Sequence, residues 1–349
     1  MIGCVFAFQA GTAEAFVPVI EALQGCTEIK VFSGPTAAPI FAREHVEHTI
    51  VEDAREITAW MEQETRGLDW ILTGTSWVPE LEAAVWSKAR SLEVCSVAFV
   101  DNWGGYRDRF RSALETRSMP DAIAAVDDAM RLELLEALGP ATAISVVGHP
   151  ALEQLTHSSS NRDESFRREL GIAPEEMLIL WVADGIYRNP PAGFPTPESL
   201  GYSDEEMLSK LTDCLNAMGQ SRRFHLLLRH HPASPDPALA LGLRAGAHFP
   251  WQVCDAMPKL RLILASDIVI GGSSMILLEA ALLQRLAVSC LREKAEAFPL
   301  LDRNRDLIPL FGSCDELETL LLQHPKTHPV SGRFGQDSVG NIVRLLSNA

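Results

Sequence analysis

Short apolar runs alternate with helix-like segments along the chain, and this alternation limits the possible folds more than any other feature of the sequence. The apolar runs are nearly continuous, as in Ile2–Phe8 and Met177–Ala183, rather than apolar at every second residue. Continuous apolar runs are typical of strands in a parallel sheet, because helices cover both faces of such a sheet. The sequence therefore predicts an α/β protein.

The predicted elements follow from these runs and from apolar residues at helical spacing. The predicted strands are Ile2–Phe8, Ile29–Phe32, Trp70–Leu72, Val94–Val100, Ile144–Val147, Met177–Ala183, Phe224–Leu228, Ile268–Ile270 and Ala287–Leu291. The predicted helices are Glu14–Leu23, Ala54–Gln63, Pro79–Ser91, Asp121–Leu138, Asp204–Met218, Lys259–Ala265, Ser274–Leu283 and Asp315–Leu322.

The chain of 349 residues has room for two domains. A polar stretch, His157–Asp163, interrupts the alternation and is interpreted as the link between the domains or as a junction at a surface helix. We predict two Rossmann-like, doubly wound domains that face a cleft, covering residues 1–149 and 150–330. Residues 331–349 are predicted to form a C-terminal helix that packs back on the N-terminal domain.

Composition excludes several classes of function. The net charge of −16 argues against DNA or RNA as the main partner, because a polyanion needs a basic surface. No apolar run is long enough to span a membrane, and the N-terminus resembles a strand rather than a signal peptide. The seven cysteines are scattered, and most are predicted to be small core residues in a reducing compartment. A cytoplasmic protein is the expectation.

A glycine-rich turn leads from a predicted strand into a helix at Gly271–Ser274. Such a turn presents hydroxyls and free backbone N–H groups at a helix N-terminus, which favours binding of an anion. Glu279 follows about a turn and a half later, where it would meet a sugar hydroxyl if the phosphates lay on the turn. The alternative is that Ser273 only caps the helix and Glu279 faces water.

Polar residues also follow the strands of the first predicted domain. Asp101 ends an apolar strand, where a general base would be held in a fixed position. Two glycines follow it, and Tyr106 and Arg109 could orient an acceptor. In the alternative interpretation Asp101 caps the next helix, while Trp103 and Tyr106 pack on the domain surface.

Other strand ends carry weaker signals. Arg229-His230-His231 offers donors suited to phosphate oxygens. Gly11-Thr12 with Glu14 forms a second turn into a helix, although one glycine is a poor dinucleotide fingerprint. Asp184-Gly185 is compatible with a ligand-facing turn or a plain turn. The sequence has no GxxxxGK[ST], GxSxG or HExxH motif, so P-loop, α/β-hydrolase and zincin functions are not indicated.

With these motifs the chain resembles the GT-B superfamily of glycosyltransferases and related sugar-nucleotide enzymes. Gly11–Glu14 with Pro18 resembles the first-strand loop of the UDP-GlcNAc 2-epimerases, and Val147–Leu152 resembles the segment leading into their second domain. Gly271–Ser274 with Glu279 is similar to the nucleotide-sugar loop and ribose-binding glutamate of many GT-B enzymes.

The pairing of His231-Pro232 with Ser273-Ser274 resembles bacterial sialyltransferases and teichoic-acid glycerophosphotransferases, whose corresponding residues hold the cytidine phosphate of the donor. The epimerases carry a histidine-rich motif where this chain has Trp181–Gly185. Thr75 stands where they have an aspartate after a glycine.

The resulting hypothesis is a metal-independent glycosyltransferase without a cofactor, using a UDP-, CMP- or CDP-linked sugar and an unknown acceptor, as a monomer or homodimer. Alternatives are a UDP-GlcNAc 2-epimerase or hydrolase, or a non-catalytic sugar-nucleotide-binding relative. Asp101 is the predicted catalytic base. The predicted acceptor site consists of Gly11, Thr12, Glu14, Trp103, Tyr106 and Arg109. The predicted nucleotide site consists of Arg229, His230, His231, Gly271, Gly272, Ser273, Ser274, Met275 and Glu279.

Overall fold

The computed structural model of the chain describes residues 1–64, 67–76, 78–186, 196–219, 222–232, 235–323 and 332–347. The chain divides into two compact units, Met1–Gln154 together with Ser331–Ala349, and Leu155–Val330. Each unit contains one parallel sheet covered by helices, so the structure has the predicted α/β architecture of two Rossmann-like domains.

In the described part of the first unit, seven parallel strands pair in the order β3-β2-β1-β4-β5-β6-β7. The strands are β1 (Ile2–Ala7), β2 (Glu28–Ser33), β3 (Thr49–Ile50), β4 (Trp70–Thr73), β5 (Cys95–Phe99), β6 (Ala122–Ala125) and β7 (Ile144–Val146). The helices between them are α1 (Ala10–Leu23), α2 (Ala38–Arg43), α3 (Ala54–Gln63), α4 (Pro79–Ser91), α5 (Tyr106–Arg109), α6 (Arg111–Thr116) and α7 (Asp128–Leu138). Helix α8 (Pro150–His157) follows β7 and continues into the second unit.

In the described part of the second unit, five parallel strands pair in the order β10-β9-β8-β11-β12. The strands are β8 (Met177–Val182), β9 (Phe224–Arg229), β10 (Trp251–Val253), β11 (Ile268–Gly271) and β12 (Leu286–Ser289). The α-helices are α9 (Glu164–Glu169), α10 (Pro197–Leu200), α11 (Asp204–Met218), α12 (Pro237–Gly246), α13 (Lys259–Ala265), α14 (Met275–Leu282), α15 (Pro299–Arg303) and α16 (Cys314–Gln323), and a 3₁₀ helix spans Arg292–Ala297.

The C-terminal helix α17 (Ser338–Ser347) belongs to the first unit and packs against α1. The carboxylate of Glu153 accepts hydrogen bonds from the backbone N–H groups of Asp337 and Ser338, each at 2.7 Å. Asn341 donates to the carbonyl of Val147 at 3.1 Å. These contacts fix the start of α17 beside the end of the first sheet.

Strand order reverses next to the first strand of each sheet. In the first unit β1 lies between β2 and β4, and in the second unit β8 lies between β9 and β11. The connections on the two sides of such a point lead to opposite faces of the sheet and open a crevice at the carboxyl ends of the strands. The residues after β1, β4, β8 and β11 are therefore the ones placed to contact a ligand.

The structure corrects one predicted helix and adds strands and short helices that the sequence analysis omitted. The predicted helix Asp121–Leu138 is wrong in its first part, where Ala122–Ala125 forms β6 between β5 and β7. Alanine favours helices, but here burial between two strands outweighs that preference. The omitted elements include the strands β3 and β10 and the helices α2, α5, α6, α8, α9, α10, α12 and α15. No described helix is both long and apolar enough to cross a membrane.

The cysteine prediction is also partly wrong. Cys4 and Cys254 are buried and free, but Cys26 is exposed and Cys95 and Cys290 are partly exposed. A disulfide joins Cys214 of α11 to Cys314 of α16, across 100 residues of sequence. Scattered spacing gave no sign of this pair, because only the packing of α11 against α16 brings the two side chains together.

We predict that Cys314→Ser lowers the free energy of unfolding of the second unit by about 2–4 kcal/mol, because the disulfide restricts the unfolded chain over a long loop. Urea denaturation with and without reductant measures the effect. Reductant should destabilise the wild type and the control Cys26→Ser but leave Cys314→Ser unchanged. A wild type insensitive to reductant would contradict the stabilising role.

Candidate functional site

A buried acid–base pair occupies the carboxyl edge of the first sheet. Asp101, which follows β5, is 7% exposed, and Arg109 of α5 is 3% exposed. Arg109 Nη1 lies 3.2 Å from Asp101 Oδ1 and donates to Thr75 Oγ1 at 3.0 Å. The Thr12 hydroxyl donates to the other carboxylate oxygen, Oδ2, at 3.2 Å. Residues from the ends of β1, β4 and β5 thus converge on one carboxylate.

Two glycines permit this close approach. A Cβ atom on Gly74 would lie 2.3 Å from Thr12 Cγ2, so the turn after β4 admits only glycine beside α1. A Cβ atom on Gly11 would lie 3.0 Å from Asp101 Oδ2, which shows that the start of α1 lies against the carboxylate. The predicted residues Gly11, Thr12, Asp101 and Arg109 are therefore brought together.

His149 is a further member of this edge that the sequence analysis quoted in the resemblance but did not assign to the site. Its side chain is 4% exposed, and its Nδ1 accepts the backbone N–H of Leu152 at 3.3 Å. Burial lowers the pKa of His149 to about 4, against the opposing charges of Asp101 and Glu14. The imidazole is therefore neutral at pH 7. The charges of Asp101 and Glu14 lie close enough to act on the pKa of His149.

Trp103 and Tyr106 are engaged elsewhere in the first unit. The Trp103 indole N–H donates to Asp127 Oδ2 at 2.8 Å, and the Tyr106 hydroxyl donates to Glu133 Oε2 at 2.9 Å. Both side chains are buried, and their partners lie at the start of α7 and within it. Their role in holding an acceptor stays a prediction.

Glu82 is a buried carboxyl group that the sequence analysis missed. It lies on the buried face of α4 with Val85, Trp86 and Ala89, at a spacing that could have revealed its burial. The Ser76 hydroxyl donates to Glu82 Oε2 at 2.9 Å. Burial raises the pKa of Glu82 to about 8, an effect that the hydrogen bond and the charge of Arg109 oppose.

In the second unit the glycine–serine loop, defined as Gly271–Ser274, connects β11 to α14. Ser274 is the N-cap of α14, and its hydroxyl accepts the backbone N–H of Ile276 at 3.4 Å. The cap of this helix is therefore Ser274 and not Ser273, the residue named in the alternative interpretation of the sequence. Met275 is the first helical residue. A Cβ atom on Gly271 would lie 2.7 Å from the carbonyl oxygen of Val182, so glycine allows β8 and β11 to approach closely.

The backbone N–H of Ser273 in this loop already donates a hydrogen bond to an aspartate of the same chain. Asp184, two residues after β8, accepts the Ser273 backbone N–H at 2.6 Å and the Ser273 hydroxyl at 3.2 Å, both on Oδ2. The Tyr202 hydroxyl donates to the same oxygen at 2.8 Å. A Cβ atom on Gly272 would lie 2.2 Å from this oxygen. The Asp184 carboxyl group thus spans the crevice between β8 and β11, where the sequence analysis expected a phosphate.

Asp204 places a second carboxyl group next to Asp184. Asp204 is fully buried at the start of α11, and its two oxygens accept the backbone N–H groups of Asp184 and Ile186 at 2.9 and 2.8 Å. Burial, reinforced by the charge of Asp184, raises the pKa of Asp204 to about 8. Burial also raises the pKa of Asp184. Burial lowers the pKa of nearby His231 to about 4, so this histidine adds no positive charge at pH 7.

The remaining predicted nucleotide residues have partners within the second unit. Lys259 Nζ lies 2.9 and 2.8 Å from the two oxygens of Glu279, which is 7% exposed. Arg229 Nη1 donates to the carbonyl of Met257 at 3.1 Å. His230 Nδ1 lies 2.7 Å from Asp255 Oδ2. Within the residues that the structure describes, no group of three or more His, Cys, Asp or Glu side chains could hold a metal ion.

Comparison with known proteins identifies the fold. No protein-family model matches the sequence. No curated protein matches it either. The chain is similar in structure to the UDP-GlcNAc 2-epimerase of Methanocaldococcus jannaschii in complex with UDP-GlcNAc and UDP, with a TM-score of 0.70, 12% identity and 100% coverage of both chains.

Two further structures extend this similarity. The UDP-GlcNAc 2-epimerase of Neisseria meningitidis bound to UDP-GlcNAc has a TM-score of 0.70 at 15% identity, again with 100% coverage of both chains. The E. coli ADP-heptose heptosyltransferase II has a TM-score of 0.51 at 12% identity, covering 93% of this chain and 99% of the heptosyltransferase. The chain has the fold of the GT-B sugar-nucleotide enzymes, as the sequence resemblance implied.

We predict that the stability of the first unit depends on pH through Glu82. Its pKa in the folded state exceeds that of the unfolded state, so its contribution is complete below about pH 4.5 and is lost as pH rises through about 8. Glu82→Gln removes this titration while leaving an oxygen to accept the Ser76 hydroxyl. Between pH 5 and 9 the variant should lose ~2 kcal/mol less unfolding free energy than the wild type.

Denaturant titrations at several pH values measure this difference. Glu80→Gln, at an exposed position on the same helix, is the matched control and should keep the wild-type pH dependence. Equal pH dependence in Glu82→Gln and wild type would contradict the assignment.

Proposed function

We propose that the protein is an enzyme that cleaves the bond between the sugar and the phosphate of a nucleotide sugar, in the manner of a UDP-GlcNAc 2-epimerase or hydrolase. The fold supports this proposal, since the epimerase structures match the chain over its whole length. This corrects the order of the sequence hypotheses, in which a glycosyltransferase came first. The epimerase-like alternative has the better structural support.

The observation that carries the proposal is the buried Asp101 carboxylate at the carboxyl edge of the first sheet. Epimerisation at a sugar carbon requires that a base removes a proton from that carbon, and a carboxylate on a strand end is a fixed proton acceptor. Arg109 and Thr12 hold the two oxygens of Asp101 from opposite sides. Asp101 is thus the proposed base, and Arg109 and Thr12 are its positioning residues.

We assign nucleotide binding to the second unit. The N-terminus of α14 provides the amide of Ser273 and the field of the helix to phosphate oxygens, with no metal ion in this role. Glu279, paired with Lys259, is the proposed ribose contact. A phosphate on this loop must displace the Asp184 carboxylate or share the loop with its neutral acid form, because two anions would repel one another.

A glycosyltransferase is the second candidate, and one observation favours it. The residues after β8 read Ala183-Asp184-Gly185, without the histidine-rich motif of the epimerases. The heptosyltransferase shares the fold and is a transferase by name. A transferase would need an acceptor before it releases nucleotide, whereas an epimerase or hydrolase would not.

Turnover of UDP-GlcNAc without an acceptor tests the proposed function, with CMP- and CDP-sugars as further substrates. We expect a new sugar species by NMR, and Asp101→Asn should lower turnover about 10²–10⁴-fold because the base is lost. UDP affinity should change less than about threefold, since Asp101 lies in the first unit.

Asp121→Asn is the control for this experiment. Asp121 accepts the backbone N–H of Ser96 at the opposite end of β5, so its loss should spare turnover. Product formation only in the presence of an acceptor would support the transferase instead. Full turnover by Asp101→Asn would contradict the assigned base.

We also predict that Asp184→Asn strengthens UDP binding by about tenfold at pH 8, because the amide keeps an acceptor for Ser273 but removes the competing charge. Because burial raises the pKa of Asp184, its carboxyl group takes up a proton at a higher pH than an ordinary aspartate, so the gain should be smaller at pH 5. Calorimetric titration with UDP measures both values. The matched control is Asp236→Asn, which alters the N-cap of α12 and should bind UDP as the wild type does. Weaker binding by Asp184→Asn would show that the carboxylate itself contacts the ligand.

A further inference from the structure

His230 and Asp255 form a tightly coupled pair at the carboxyl edge of the second sheet. The Asp255 carboxylate accepts the His230 backbone N–H on Oδ1 at 2.7 Å. Its other oxygen lies 2.7 Å from His230 Nδ1. A carboxylate only accepts hydrogen bonds when it is ionised, so Nδ1 carries a hydrogen and donates it to Asp255. The proton on Nδ1 is therefore held in place, and Nε2 is the ring nitrogen that can exchange one.

The free nitrogen of this ring has no partner in the described part of the chain. The His230 side chain is only 7% exposed, and Nε2 is buried without a hydrogen bond. A buried polar atom without a hydrogen-bond partner lowers the stability of the folded state by ~1–3 kcal/mol. In native structures such an atom needs an explanation, and a ligand that bonds it is one. A ligand group that bonds Nε2 would recover this energy.

Arg229 holds the loop that carries Asp255. Its Nη1 donates to the carbonyl oxygen of Met257 at 3.1 Å and lies 3.5 Å from those of Cys254 and Asp255. The guanidinium therefore fixes the backbone between β10 and α13. Because Asp255 belongs to this loop, the guanidinium also fixes the position of the Asp255 backbone. The Asp255 carboxylate in turn fixes the orientation of the His230 ring.

His230 lies on the same sheet edge as the glycine–serine loop. It directly follows β9, which pairs with β8, and β8 pairs with β11. Neighbouring strands are about 4.8 Å apart, so the ends of β9 and β11 are separated by about 10 Å. A sugar diphosphate is long enough to span this distance.

We propose that His230 is a proton donor in the cleavage of the nucleotide sugar and that Asp255 is its positioning residue, an inference that rests on the proposed function. As the bond between the sugar carbon and the phosphate oxygen breaks, its electron pair remains on that oxygen. The proton of Nε2–H passes to the same oxygen and leaves a neutral imidazole. The hydrogen on Nδ1 stays with Asp255 throughout, and the ring regains a proton when the bond re-forms or water enters.

The charged groups around the ring are consistent with this role. Asp255 faces it from the loop after β10 and stabilises a positive imidazolium. Arg229 precedes it but is directed to backbone carbonyls. Asp184 follows the neighbouring strand β8, and its carboxyl group accepts hydrogen bonds from Ser273 of the glycine–serine loop. His231 is neutral at pH 7, because burial lowers its pKa to about 4.

The test compares His230→Gln, Asp255→Asn and Asp255→Glu with the wild type in the turnover of UDP-GlcNAc. We expect kcat to fall about 100-fold in His230→Gln and UDP affinity to fall by a smaller factor of about ten, because the ring bonds the ligand and also donates a proton as the bond breaks. Asp255→Asn should also lower kcat, because an amide can donate to Nδ1 and move the hydrogen to Nε2. Asp255→Glu should recover part of the activity.

The control variant is His225→Gln, a half-buried histidine on the same strand that contacts Gln252. Thermal unfolding identifies any variant that fails to fold. A wild type that forms no new sugar species from UDP-GlcNAc overturns the proposed function and this inference with it. Normal kcat in His230→Gln, or a loss of UDP affinity as large as the loss of kcat, would each overturn the inference alone.

Discussion

The reversal of strand order beside β1 and beside β8 is the constraint on which the chemistry of this protein depends. Hydrogen bonding between fully buried parallel strands fixes these positions, since the central strands have no freedom to slide without exposing apolar side chains. The polar residues that follow β4, β5, β8, β9 and β11 are then directed to the carboxyl edges of the sheets. The candidate site residues belong to these segments and to the helices that begin there.

The buried carboxyl groups at the two sheet edges have different kinds of stabilising partner. In the first unit the charge of Asp101 faces the guanidinium of Arg109. In the second unit Asp184 is surrounded by an amide, two hydroxyls and the second carboxyl group of Asp204. Neutral dipoles stabilise an anion less than a cation does, so burial raises the pKa of Asp184 and Asp204. The first edge is suited to hold a charged base, whereas the second edge binds an anion only in competition with its own carboxyl group.

Some residues of the candidate site had a recognisable signal in the sequence and others had none. Asp101 and Ser274 could be selected as candidates because Asp101 stands at the end of an apolar strand and Ser274 stands just before a helix. The role of Asp184 was left open, since its main partner, Ser273, is 89 residues away in sequence. Asp255 gave no signal, because its importance comes from β10 lying beside β9, and the short β10 was not predicted. Trp103 and Tyr106 looked unusual beside two glycines, yet their polar atoms pair with Asp127 and Glu133.

The sequence by itself determined the fold class, because continuous apolar strands alternating with helices can be buried only in a parallel sheet covered on both faces. It also determined which residues follow the strands, since that depends on local order alone. The tertiary structure decided which of these residues meet. The pairing of Asp101 with Arg109, of Asp184 with Ser273, and of Cys214 with Cys314 depends on strand order and helix packing, which no local pattern encodes.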